Sequence, residues 1–172
     1  MFMSKPAAPV SPAKSFVEQR RARVLGALGR APHIYEGVHA LPPERLAFIR
    51  REAEDLYWNE LSWEQLTDEE AVVGGHMTEM VFPGFLAFVE GLLVDRVPAD
   101  ALTPARPHPD AVEEILAFVA ERYAHATREL EAGADSQRIV WQRVMSGQLV
   151  DLVLYRLYRL TPAEVEALEG EG

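Results

Sequence analysis

The chain has 172 residues, long enough to bury a self-sufficient core as one domain. Its 48% hydrophobic and 26% charged content is ordinary for a globular protein and argues against disorder over most of the length. With no cysteine, disulfides, thiolate nucleophiles and cysteine zinc sites are excluded.

The net charge of −10 is unevenly placed. Residues 1–30 hold six bases against Glu18, a balance of +5, and the rest of the chain carries −15. So acidic a body repels phosphate backbones, so no nucleic-acid binding by the main domain is expected. Residues 1–13 lack the apolar run of a signal peptide, and Pro6, Pro9 and Pro12 interrupt them. The longest apolar tract, residues 80–94, falls short of the roughly 20 residues that span a bilayer. A soluble, cytoplasmic protein without a transmembrane segment is the expectation.

Residues 1–10 read as a flexible tail and residues 11–172 as a single all-helical domain. Ser11-Pro12 offers an N-cap followed by proline at the first helical position. Phe16, Val17, Val24, Leu25 and Leu28 recur at helical spacing from there to Gly29, while Arg20, Arg21 and Arg23 load the polar side. That pattern predicts a helix docked on the acidic body. Engagement of a membrane or nucleic acid by this basic arm alone is a weaker reading.

A second helix is predicted from Pro42-Pro43 to about Leu61, with Leu46, Ile49, Ala53, Leu56 and Tyr57 on one face. Thr67-x-x-Glu70 is a capping box and opens a third helix. Gly74, Gly75 and Pro83 lie within that helix; each glycine costs about 1 kcal/mol and the proline about 3. It is expected to kink or split at Pro83 and resume to about Val94.

Residues 97–109 contain four prolines and read as a surface loop. The fourth helix, from Pro109 to about Ala132, carries a clean stripe of Val112, Ile115, Leu116, Val119, Tyr123, Ala126 and Leu130, with Gly133 to stop it. The fifth runs to about Leu160 and is apolar nearly all round in residues 149–160, so it is buried centrally or covered by another chain. Thr161-Pro162-x-Glu164 is a second capping box and begins a short tail helix. With no two-residue alternation anywhere, the fold class is all-α: a single-domain bundle of about five helices with a kinked or split third helix.

Residues 52–95 hold 11 acidic side chains and no Lys or Arg. Their first part mixes acid with aromatics: Tyr57, Trp58, Glu60, Trp63 and Glu64 form a candidate partner surface, acid setting selectivity and aromatics anchoring. In the second part His76 falls on the apolar stripe, and Glu79 lies one turn on. Two such groups on one helical face are candidate metal ligands, although di-metal bundles use the reverse order in two copies. Asp151 interrupts the apolar fifth helix, so it needs an Arg, His, Tyr or metal partner. His76 and Asp151 are expected to meet in the bundle core. Glu121 and His125 share a face that points to solvent. No phosphate loop, nucleophile elbow, His-Glu-x-x-His or EF-hand pattern occurs.

The leading expectation is a non-enzymatic interaction module, a homodimer through residues 149–160 or 80–94, that meets a basic protein partner. The alternative is a metal- or small-molecule-binding bundle, enzyme included, centred on His76, Glu79 and Asp151. No cofactor is predicted; a divalent metal at His76 and Glu79 belongs to that alternative.

Overall fold

Prolines set where most of the helices begin. The computed structural model describes residues 11–61, 75–94 and 106–170, which form seven helices and no strand. These are α1 (Pro12–Ala27), α2 (Pro43–Glu60), α3 (Gly75–Val81), α4 (Pro83–Leu92), α5 (Pro109–Glu131), α6 (Gln137–Leu157) and α7 (Pro162–Gly170). Five of the seven start on proline, whose fixed φ suits the first turn and whose missing N–H is not needed there. The predicted tail at residues 1–10 and the Thr67 capping box lie outside the described residues.

The count exceeds the expected five because the third helix is split and the tail helix forms. The split falls at Pro83, as its chemistry requires. Phe82 leaves helical geometry (φ −117°, ψ 49°), and Pro83 starts a new helix that lacks a cap from its own neighbourhood. The cap comes from α2 instead. Glu60 accepts from Gly84 N at 2.6 Å and from Phe85 N at 2.9 Å, setting a carboxylate at the positive end of α4.

The five-residue link 132–136 folds α6 back along α5, and this pair is the centre of the molecule. Gly133 (φ +101°) supplies the left-handed turn at the end of α5, with Ala134 N bonded to Glu129 O and Gly133 N to Leu130 O. On α5, Val112, Ile115, Leu116, Val119 and Ala126 are fully buried. The helix presents its predicted stripe to α1, α2 and α6.

On α6, Leu149, Val150, Leu152, Val153 and Leu154 are all buried within the chain, beneath α1, α3, α4 and α5. The all-round apolar character is therefore satisfied internally. Over residues 149–154 the covering that the pattern calls for comes from the chain's own helices. The apolar side chains of residues 80–94 also pack mostly on the core, with only Met80 (70%) and Val94 (38%) large and exposed.

α6 also ends earlier than its pattern suggests. Leu160 N bonds back to Tyr155 O and Arg159 N to Arg156 O, with Arg159 left-handed at φ 52°. It is the same termination as at Gly133, built without glycine.

The basic face of α1 docks on the acidic body, as predicted. Ser11 Oγ accepts from Lys14 N at 3.1 Å and caps the helix. Arg21 makes a two-pronged bond to Glu113 (2.8 and 2.6 Å) and a third to Tyr158 OH. Phe16 stacks on Tyr123 at 3.9 Å, over Gly147 of α6. No described helix is long and apolar enough to cross a membrane.

Candidate functional site

α6 leaves the core at its C-terminal end, and there α3, α4, α6 and α7 enclose an open groove of about 960 Å³. Its apolar lining comes from Leu93, Val94, Leu160 and Val165. The fixed termination at Arg159 and the capping box at Thr161 set one wall. Thr161 N donates to Glu164 Oε1 at 2.9 Å while Glu164 N donates to Thr161 Oγ1 at 3.2 Å, so α7 starts immediately after the turn.

Charge around the groove is unequal. Glu79, Glu90, Glu166 and Glu169 line it against Arg156 and Arg159. Arg156 is committed to its own wall: Nε donates to Glu90 Oε1 at 2.9 Å, Nη2 to Glu79 Oε1 at 3.4 Å and Nη1 to Leu152 O at 3.2 Å. Arg159 donates to Leu93 O at 3.0 Å and lies over the Tyr35 ring. Glu166 and Glu169, one turn apart on α7, form no salt bridge among the described residues. Tyr155 gives the groove a buried aromatic wall; burial first, then Asp151 and Glu169, push its hydroxyl up to about 12.

Asp151 lies one turn before Tyr155, its side chain 13% exposed. Oδ2 accepts from Arg20 Nη1 at 3.1 Å, with Arg23 Nη1 at 4.0 Å, and buried Oδ1 has no partner among the described residues. The required partner is thus arginine from α1. Burial pushes the carboxyl up to about 6 against the pull of both arginines, and Glu169 adds to that rise.

Glu79 and Asp151 take different arginines as partners. Glu79 lines the groove, paired with Arg156; the side chain of His76 lies outside the described residues, and with it the proposed meeting with Asp151. Among the described residues no three His, Asp or Glu side chains are grouped to hold a metal ion. Glu121 bonds to Arg50 at 2.8 Å, and His125 sits 3.8 Å from Glu129.

The described residues of the acidic-aromatic segment, Tyr57, Trp58 and Glu60, do not share one surface. Tyr57 is fully buried and corrects its assignment there: its ring packs against Phe82 and Phe118, and its OH lies 2.9 Å from Ser146 Oγ. Glu60 is spent on capping α4. Trp58 stays 48% exposed, with the Arg122 guanidinium 6.0 Å from its ring. Trp63 and Glu64 lie outside the described residues.

Sequence reasoning missed Tyr155, Arg156, Glu166 and Glu169 as neighbours around one groove. The available signal was Arg156 and Arg159 interrupting an otherwise apolar helix end.

No protein-family model matches the chain, and no curated protein or solved structure is significantly similar to it.

Proposed function

We propose that the protein is a docking module whose groove holds a cationic, amphipathic helical segment of a partner protein. One observation carries this reading: an apolar floor beside walls whose uncommitted charge is negative. An amphipathic helix buries its apolar stripe in such a groove. Its bases then meet Glu166 and Glu169, the carboxylates that no arginine engages among the described residues. The −15 carried by residues 31–172 steers such a partner inward and turns acidic ones away.

This keeps the acid-selected basic partner expected from the sequence and moves its seat from α2 to the groove. The volume lies near the top of the range for small-molecule pockets, about 300–1,000 Å³, and the opening to solvent suits a segment that continues beyond it.

Titration calorimetry of the full chain with two designed helical peptides tests the reading. Both carry the same leucine stripe; one bears arginine and the other glutamate on the polar face. The arginine peptide is expected to bind at least about tenfold tighter, an advantage that shrinks as salt rises. Val165→Asp, which puts a charge on the floor, is expected to abolish binding. Equal affinity for the two peptides, or no binding of either, overturns the proposal.

A further inference from the structure

The wall between the groove and α1 contains a carboxylate with an unsatisfied buried oxygen. Asp151 Oδ1, on the face of α6 towards α1, is buried with no hydrogen-bond partner among the described residues, while Oδ2 accepts from Arg20. The charged groups facing it are Arg20 and Arg23 from α1 and Glu169 from α7, with Tyr155 one turn along its own helix. Glu169 lines the groove and also acts on Asp151, Tyr155 lines it one turn along α6, and Arg23, 4.0 Å from Asp151 Oδ2, donates to Leu168 O beside Glu169 at 2.8 Å.

Resting on the groove as the docking site, we infer that a cationic occupant of the groove and a proton on Asp151 exclude one another. A guanidinium beside Glu169 cancels the negative charge that helps keep Asp151 protonated, and its own field favours the carboxylate. The Asp151 side chain is only 13% exposed, so charges near it are screened less than in water. Binding therefore transfers a proton from Asp151 to solvent. By reciprocity, acidification loads the proton and expels the occupant. Burial has already brought Asp151 to about 6, which sets where this exchange operates.

The experiment is calorimetry of the leucine–arginine peptide with the full chain at pH 6, in two buffers of different ionisation enthalpy. Wild type is expected to give unequal heats, reporting a fraction of a proton released per peptide bound. Asp151→Asn is expected to bind with equal heats. Affinity should fall severalfold from pH 7.5 to 5.5 in wild type, each unit of carboxyl shift on binding giving about tenfold, and stay level in the variant. The carboxyl carbon resonance of Asp151 gives a reading without mutation: its titration midpoint should move down when peptide is added. Binding with equal heats in wild type, or an unmoved midpoint, overturns the coupling and leaves the groove standing. No binding at any pH overturns the groove and the coupling with it.

Discussion

Arg20 donates from Nη1 to Asp151 Oδ2 at 3.1 Å, yet burial still raises the Asp151 carboxyl to about 6. Attraction to α1 is thus smaller than the cost of taking the carboxylate out of water. The folded state holds the Asp151 proton more tightly than the unfolded chain, whose carboxyl titrates near 3.8. Asp151 therefore adds stability as pH falls from above 6 towards 4, and the charged form is a burden above that window. Asp151→Asn should be more stable than wild type at pH 7.5, by up to about 3 kcal/mol, with the gap closing towards pH 4. Urea unfolding across pH 4–8 measures it; a variant less stable at pH 7.5 would show that the ion pair dominates.

Glu60 and Gly84 form a second long-range dependency. A Cβ on Gly84 would overlap Glu60 Oε1, so Gly84→Ala is expected to push the carboxylate off the end of α4. Loss of a cap of this kind costs about 0.5–2 kcal/mol. Glu60→Ala should cost a similar amount, and the double variant little more than either single one, because each removes the same two bonds. Additive losses in thermal unfolding would separate the two residues.

Tyr57 OH and Ser146 Oγ satisfy one another inside the core at 2.9 Å. Tyr57→Phe leaves the serine hydroxyl buried without this partner and should cost about 1–3 kcal/mol; Ser146→Ala does the converse. The paired variant, with both hydroxyls gone, should recover most of either loss. Chemical denaturation of the three proteins decides, and a double variant as unstable as the sum refutes the pairing.

The helices themselves were largely legible because their signals are local. The α5 stripe, Gly133, the proline starts and the Thr161 box each act within a few residues of where they stand. Tyr57 was misassigned because it sits between two patterns, the buried face of Ile49 and Ala53 and the acidic run that follows. Spacing favoured the first, since Tyr57 is four residues beyond Ala53, but composition suggested the second. The Glu60 cap escaped notice because its target is 24 residues away. The groove escaped for the same reason: Glu79, Glu90, Tyr155 and Glu169 come together only when four helices are placed. Asp151 was legible as a residue in need of a partner, but nothing local identified Arg20, 131 positions earlier.

Arg159 ends α6 in a conformation that glycine adopts at no steric cost and that costs other residues about 1–2 kcal/mol. Its side chain offsets that cost by donating to Leu93 O at 3.0 Å and covering the Tyr35 ring, which ties the turn to α4 and to the α1–α2 connector. Arg159→Ala keeps the backbone cost and loses these contacts, so it should destabilise the fold by about 1–2 kcal/mol. Arg159→Gly loses the same contacts but relieves the backbone, and should lie closer to wild type than alanine does. Because the turn sets α7 against the groove, alanine is also expected to speed amide exchange in residues 162–170 more than glycine does. Hydrogen exchange with thermal unfolding reads both effects. An alanine variant as stable as the glycine variant would show that the left-handed turn carries no strain.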